Sequence, residues 1–184
     1  MKHNLIALTV LTSTLIFSNA SLADETTQQV QPSKQWNIGV GTYALIIDED
    51  NSDDITFEGF ALSATYAFND NVSIKGQYYA LEEEDFSEIE LSGIDMAVHY
   101  GTGLASDGFK AYIGLGLYSE TLEVGSLEED FSGAQIAGGL GYNWESVSLD
   151  LSLGIRSTGD YEDLADDSSD VTAVSSSLVF AVRF

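Results

Sequence analysis

Apolar side chains recur at every second position in eight separate stretches of the chain, each roughly ten residues long. A period of two is typical of β-strands, because successive side chains of a strand point to opposite faces. No 3.6-residue helical period competes with it. The bulky apolar members are Trp36, Ile38, Val40, Ala44 and Ile46; Phe60, Leu62, Ala64, Tyr66 and Phe68; Val72, Ile74, Tyr78 and Ala80; Ile94, Met96, Val98 and Tyr100; Phe109, Ala111, Ile113, Leu115 and Leu117; Ala134, Ile136, Leu140, Tyr142 and Trp144; Val147, Leu149, Leu151, Leu153 and Ile155; and Val174, Leu178, Phe180, Val182 and Phe184. The pattern predicts an all-β protein with eight strands.

The opposite parity of the same stretches decides between a soluble sandwich or barrel and a membrane barrel. It carries glycine, alanine and serine, and also most of the charges that lie within the stretches, such as Lys75, Lys110 and Arg156. A lysine or arginine that faced lipid at the bilayer midplane would cost about 2–4 kcal/mol in a barrel. The charged parity must therefore face inward and the bulky parity must face lipid. The prediction is an eight-stranded antiparallel, up-and-down transmembrane β-barrel, and we expect it to be monomeric.

The N-terminus has the composition of an export signal. Lys2 and His3 precede an apolar run over 5–17, and Ser21-Leu22-Ala23 places small residues where a signal peptidase cuts. The alternative is a membrane-spanning anchor, but about 20 apolar residues are needed to cross the hydrocarbon core. The predicted organisation is a cleaved signal peptide over 1–23, a polar periplasmic leader over 24–34 and the barrel domain over 35–184.

The acidic residues concentrate in four connections between the predicted strands. The chain has 30 Asp+Glu against 6 Lys+Arg, a formal charge of −24. The predicted long links 48–55, 82–90, 119–131 and 157–170, together with Glu58, hold 23 of the acids. Short links alternate with them, as expected for a barrel with short periplasmic turns and long external loops. This charge excludes nucleic-acid binding, and the absence of cysteine excludes a disulfide framework.

The acidic links could serve either of two purposes. The run over 48–54 has the oxygen density that hard cations prefer, although it lacks the glycine and final glutamate of an EF-hand loop. We therefore expect at most weak divalent-cation binding there. The alternative is a solvated anionic rim that keeps the exposed surface soluble.

The C-terminal strand carries a recognisable signature, in which Phe180 and Val182 alternate up to the terminal aromatic residue Phe184. This resembles the strand that outer-membrane barrels present to the barrel-assembly machinery. The hairpins over 62–79 and 133–144 are also similar to those of the small outer-membrane β-barrel superfamily, which includes the OmpA transmembrane domain, OmpX and opacity-like "porin family" proteins. The resemblance covers the whole mature chain. It implies the Gram-negative outer membrane, contact with lipid and lipopolysaccharide, and insertion by the assembly machinery, but no substrate.

Six inward charges form a predicted lumen network: Lys75, Asp95, Lys110, Asp150, Arg156 and Arg183. Counting across the hairpins places Lys75 opposite Asp95, and Gln135 opposite Arg156. With four basic and two acidic members, the network should favour anions if the lumen leaks. It could be a charge gate, or it could simply satisfy buried ions, which must be paired or solvated.

His99 is the only histidine of the predicted mature chain. It lies on the inward parity near a periplasmic turn, with Lys110 as its expected cross-strand neighbour, and a second nitrogen ligand for zinc is missing. We therefore predict no catalytic site, no metal and no cofactor. Two functions remain: a structural or surface-interaction protein, or a narrow porin for small solutes.

Aromatic residues gather at the predicted periplasmic strand ends, as in an interfacial girdle. The members are Trp36, Tyr66, Phe68, Tyr100, Phe109, Tyr142, Trp144 and Phe184.

Overall fold

The computed structural model describes residues 34–49, 55–84, 89–125, 127–158 and 171–184. Each strand is hydrogen-bonded antiparallel to the strands before and after it in the chain, and the first strand also pairs with the eighth, so the sheet closes into a barrel. The strands are β1 Trp36–Glu49, β2 Ile55–Ala67, β3 Val72–Glu83, β4 Ile89–Thr102, β5 Gly108–Val124, β6 Leu127–Asn143, β7 Val147–Arg156 and β8 Val171–Arg183. The predicted eight-stranded up-and-down barrel is confirmed. Among these residues there is no helix with the length and apolar content to span a membrane.

The two faces of the wall have the predicted chemistry. Ile113, Leu115 and Leu117 are 68%, 68% and 67% exposed on the outside of β5, whereas Lys110 on the other parity is 6% exposed. A soluble barrel would bury such aliphatic side chains in its core. The outer wall is therefore built for contact with hydrocarbon.

Strand register sets the tilt of the barrel. From Thr42, the ladder through β2, β3, β4 and β5 reaches Asp130 on β6, whereas the ladder through β8 and β7 reaches Leu140 on β6. The two end points lie ten residues apart. Such a stagger accompanies the strand tilt of about 35–45° seen in closed barrels. A row of paired residues followed from β1 through β2, β3, β4 and β5 therefore shifts along the barrel axis, towards the end of the barrel at which β6 begins.

Only one of the four predicted long links is longer than all of the short turns. Fourteen residues separate β7 from β8, whereas five separate β1 from β2 and β3 from β4, as many as lie between β4 and β5. Short turns join β2 to β3, β4 to β5 and β6 to β7 at one end of the barrel. The first residue of β1 and the last residue of β8 lie at the same end. We assign this end to the periplasm. The predicted long link over 119–131 is wrong, because β5 and β6 continue as a ladder to the pair Val124–Leu127. Gly125 has φ +64 there, which permits the tight turn that an ordinary L-residue would resist.

The aromatic girdle lies where it was predicted. Tyr100 and Phe109 are more than 60% exposed at the periplasmic strand ends. The Trp36 and Tyr66 ring centroids lie 5.0 Å apart, and those of Tyr142 and Trp144 lie 4.7 Å apart. Aromatic rings at this level suit a membrane interface.

Several predicted segments lie outside the described residues. These are the signal peptide over 1–23, the leader up to residue 33, and the acidic residues within 50–54, 85–88 and 159–170.

Candidate functional site

Arg156 is the centre of an ion cluster in the outer half of the lumen. Its side chain is fully buried, and Nη1 lies 2.5 Å from Glu120 Oε2. Nη2 lies 3.0 Å from Asp95 Oδ1. The guanidinium thus bridges carboxylates from β5 and β4, which satisfies two buried anions with one cation.

Tyrosines complete the coordination of this cluster. Arg156 Nη2 donates to the Tyr43 hydroxyl at 2.7 Å, and that hydroxyl donates to Asp95 Oδ2 at 2.7 Å. The Tyr79 hydroxyl likewise accepts a hydrogen bond from Arg156 Nη2 at 3.0 Å and donates one to Glu120 Oε2 at 2.6 Å. The Tyr118 ring lies 4.4 Å from the guanidinium carbon, within cation–π range. We call Arg156, Asp95, Glu120, Tyr43 and Tyr79 the arginine cluster.

An apolar layer lies at the outer end of the lumen, next to the arginine cluster. Its large members Leu45, Phe57, Leu81, Leu91 and Phe131 are 0–5% exposed and pack as one group. They come from five different strands and lie on the inward parity close to the external strand ends. Water and small ions would have to displace packed hydrocarbon to reach the ion cluster from outside.

A second ion cluster lies nearer the periplasm. Lys110 Nζ is 2.8 Å from Asp150 Oδ2, and Lys75 Nζ reaches from β3 to within 3.8 Å of Asp150 Oδ1. The Tyr112 hydroxyl donates to Asp150 Oδ1 at 2.7 Å, and the His99 ring stacks on Tyr112 with centroids 4.2 Å apart. We call Lys75, Lys110, Asp150 and Tyr112 the lysine cluster.

Lumen tyrosines and glycines fit together across neighbouring strands. The four register pairs are Tyr43–Gly59, Tyr79–Gly93, Tyr112–Gly139 and Tyr118–Gly133. At Gly139, a Cβ atom would lie 2.3–2.8 Å from Tyr112 ring and hydroxyl atoms. The missing side chain therefore lets the ring lie flat across the wall with its hydroxyl on Asp150.

The periplasmic end of the lumen is closed by the β4–β5 turn. Arg183 donates to Asp107 Oδ1 at 2.5 Å and to the carbonyl of Ala105 at 2.7 Å. Asn143 Nδ2 donates to the Gly103 carbonyl at 2.8 Å. The buried residues Leu104 and Ala105 pack beside Ala67 and Tyr112, which fills the space between these contacts.

Asp70 fastens two periplasmic turns to each other. Its carboxylate accepts hydrogen bonds from the Ser106 hydroxyl at 2.7 Å and from backbone N–H groups of Gly103, Ala105 and Ser106. Partial burial raises the pKa of the Asp70 carboxyl, but these hydrogen bonds outweigh it and leave the pKa below its ordinary value.

Glutamates also form a row on the outer face beyond the apolar belt. In successive strands, Glu58 pairs with Glu82, Glu82 with Glu90, Glu90 with Glu123, and Glu123 with Glu128. All five are exposed. Like charges directly opposite one another are destabilising. We call these five residues the glutamate row. Because the rows of paired residues shift towards the external end from β2 to β6, Glu58 is the member of the row nearest to the apolar outer surface that contacts lipid.

The predicted pairings in the lumen are partly wrong. Gln135 lies opposite Arg156, as the sequence count predicts. Lys75, however, lies opposite Ala97, and its ion pair is with Asp150 and not with Asp95. His99 lies opposite Gly114 and not Lys110. Both errors are shifts by an even number of residues, which keep a side chain on the same face.

Glu120 is the functional residue that sequence reasoning missed, because it fell in the predicted acidic loop. It is 2% exposed and points inward. The alternation of β5 could have identified it: Glu120 lies an even number of residues from Lys110, Tyr112 and Tyr118, which also point inward. With Glu120 and Asp107 added, the four basic residues of the described lumen face four acids, so the excess of positive charge from which a preference for anions was expected is absent there.

The comparisons place this architecture among known proteins. A family model described as the outer-membrane protein beta-barrel domain matches residues 9–184. The chain belongs to this family. Its members lie in the outer membrane, so this is also the location of this chain. A comparison of the sequence with curated proteins gives no significant match.

Solved structures share the fold at low sequence identity. The crystal structure of the attachment invasion locus protein Ail of Yersinia pestis has a TM-score of 0.58 and 17% identity, covering 83% of this chain and 100% of that one. Neisserial surface protein A has a TM-score of 0.61 and 16% identity, covering 84% of this chain and 100% of that one. Ail in complex with the heparin analogue sucrose octasulfate has a TM-score of 0.55 and 20% identity, covering 83% of this chain and 100% of that one.

Proposed function

We propose that this family member is a surface-interaction protein of the outer membrane, in which a sealed barrel holds an acidic external rim. The observation that carries the proposal is the filling of the described lumen. The apolar layer, the arginine cluster, the lysine cluster and the Arg183 contacts follow one another along its length. An interior closed in this way leaves the external end as the part of the molecule with distinctive chemistry.

The chemistry of the rim favours cationic partners. The five carboxylates of the glutamate row repel a polyanion and attract ammonium groups or divalent cations. Ail was solved with a heparin analogue, which is polyanionic, so the partner class proposed here differs from that ligand. Divalent cations could also link the row to lipopolysaccharide phosphates, with the weak affinity expected of an open set of carboxylates.

The test compares the intact rim with a neutralised one. Barrels refolded in phospholipid vesicles are titrated with a basic peptide such as oligolysine, and separately with Ca²⁺. Replacing Glu82, Glu90 and Glu123 by glutamine should weaken peptide binding and flatten its dependence on salt. Glu145→Gln, a removal of charge at the periplasmic end, is the matched control and should change nothing. Equal binding by the neutralised and wild-type rims would contradict the proposal.

A narrow porin is the competing function, and the packed lumen gives it no support. Single-channel recording separates the two, since the sealed barrel should give no steady conductance in a planar bilayer. A reproducible open level would favour the porin.

We also propose that the chain has no enzymatic activity. The family is generally non-enzymatic. His99 is buried against Tyr112 in the lumen, away from lipid and from the external surface.

The barrel-assembly machinery is the proposed partner of the C-terminal strand. Phe180 and Val182 are 52% and 53% exposed on the outer face of β8, which forms the closing seam with β1, and Phe184, directly after the strand, is 57% exposed. Phe184→Ala should lower the amount of barrel assembled in the outer membrane. Refolding of the purified variant into detergent should be unaffected, because the side chain has no lumen contacts to lose. A defect in both settings would indicate a structural role instead.

A further inference from the structure

A small cavity separates the two ion clusters inside the barrel. It has a volume of about 30 Å³, and its lining includes Lys75, Gln77, Asp95 and His99. About 10–15 Å³ suffices for one water molecule. The cavity is therefore large enough for one or two atoms of that size and too small for an organic solute.

Two hydrogen-bond donors at this cavity lack a good acceptor. Gln77 is 4% exposed, and its Nε2 atom has no hydrogen-bond partner. Lys75 is 8% exposed, and the closest carboxylate oxygen among the described residues is that of Asp150 at 3.8 Å, beyond hydrogen-bond range. Buried donors without acceptors are costly, so native proteins satisfy them with protein groups or bound water.

The carboxylates of Asp95, which lines the cavity, and of Asp150, next to Lys75, already accept hydrogen bonds from other groups. Asp95 accepts from Arg156 with one oxygen and from Tyr43 with the other. The Asp150 oxygens accept from Lys110 and Tyr112. The lysine cluster also carries one more positive than negative charge, whereas the arginine cluster carries one more negative charge. The unsatisfied positive charge is thus on Lys75, at the cavity.

We propose that the cavity binds a single small hydrogen-bond acceptor, a water molecule or a chloride-sized anion, held by Lys75 Nζ and Gln77 Nε2. The bound species joins the arginine cluster to the lysine cluster through one continuous hydrogen-bond network. It also lets Lys75 keep its charge without a closer carboxylate.

The sign of a stability change tests the site. If Gln77 Nε2 were truly unpaired, Gln77→Leu would remove a buried unsatisfied group and would be neutral or stabilising. With the acceptor bound, the same change removes a hydrogen bond, and the thermal unfolding midpoint in detergent should fall by about 2–4 °C. Ser73→Ala is the matched control, because Ser73 Oγ on the same strand is also buried and unpaired but does not line the cavity. The control should leave the midpoint unchanged or raise it, and an unchanged or raised midpoint for Gln77→Leu would overturn the proposal.

A crystal structure of the wild-type barrel grown in sodium bromide tests the site without a variant. An anomalous peak within about 3.5 Å of Lys75 Nζ and Gln77 Nε2 identifies the anion, and density without an anomalous signal identifies water. A cavity without density, or one closed by a rotated Gln77 that bonds to protein, would overturn the proposal.

Discussion

Removal of the Arg156 side chain is the sharpest test of how the lumen is stabilised. Arg156→Met keeps most of the side-chain volume but leaves Asp95 and Glu120 without the cation that both contact within 3.0 Å. Breaking a buried ion pair from one side costs about 3–5 kcal/mol, because the remaining charge stays buried without a partner. Two carboxylates are left here, so we expect a loss in the free energy of unfolding at or above the lower end of that range. Such a loss is a large fraction of the roughly 5–15 kcal/mol by which domains are stable.

The assay is urea unfolding of barrels refolded into phospholipid vesicles, followed by the fluorescence of Trp36 and Trp144. The triple variant Arg156→Met, Asp95→Asn, Glu120→Gln should recover most of the loss, since it removes the charges together. Lys34→Met, which removes only a 3.4 Å contact to Ser146, should behave as wild type. A loss below about 1 kcal/mol for Arg156→Met, or a triple variant no more stable than the single one, would refute the role of charge in this cluster.

Three further predictions concern other parts of the barrel. Gly139→Ala should displace Tyr112 and lower the free energy of unfolding by about 1–3 kcal/mol in the same assay. The control is Gly138→Ala on the outer face, where the nearest atom is 3.6 Å from the new Cβ, and this change should be tolerated. Equal effects of the two changes would show that the fit of the Tyr112 ring against Gly139 is unimportant. Because the pKa of Asp70 is lowered by folding, its carboxylate adds stability that is complete above the unfolded pKa of about 3.9 and is lost as the pH falls through the folded pKa. Wild type should therefore exceed Asp70→Asn in stability at neutral pH and converge with it in strong acid, and a difference that grows on acidification would contradict this sign. The double variant Lys75→Asp, Asp95→Lys should not recover the stability lost by either single change, since the two residues are not an ion pair. Recovery in a double-mutant cycle would contradict the strand register.

The fold was predictable because its physical cause is local. Alternation of bulky and small side chains along each strand fixes which face is which, and charges such as Lys110 on the small face exclude the soluble orientation. The tight β6–β7 turn also fixed one register, so Gln135 was placed correctly beside Arg156.

The ion pairs of the lumen were less predictable, for two reasons. Where a hairpin has a longer link, a slip of two residues preserves every side-chain face, so alternation alone cannot tell whether Lys75 lies opposite Asp95 or opposite Ala97. Partners can also come from strands far apart in sequence, as when Arg156 of β7 meets Asp95 of β4 across the lumen. Glu120 was missed because acidic composition was taken to mark a loop, although its parity belonged to the strand.

The apolar layer separates two parts of the chain that can evolve under different rules. Inside it, each ionised group depends on exact neighbours, so substitutions such as Glu120→Gln are felt at Arg156 and Tyr79. Beyond it, exposed residues near the strand ends, such as Glu58, Glu82 and Glu123, can change without altering any of the contacts described for the lumen. A lineage could therefore vary those outer positions rapidly while the same anchor continues to fold.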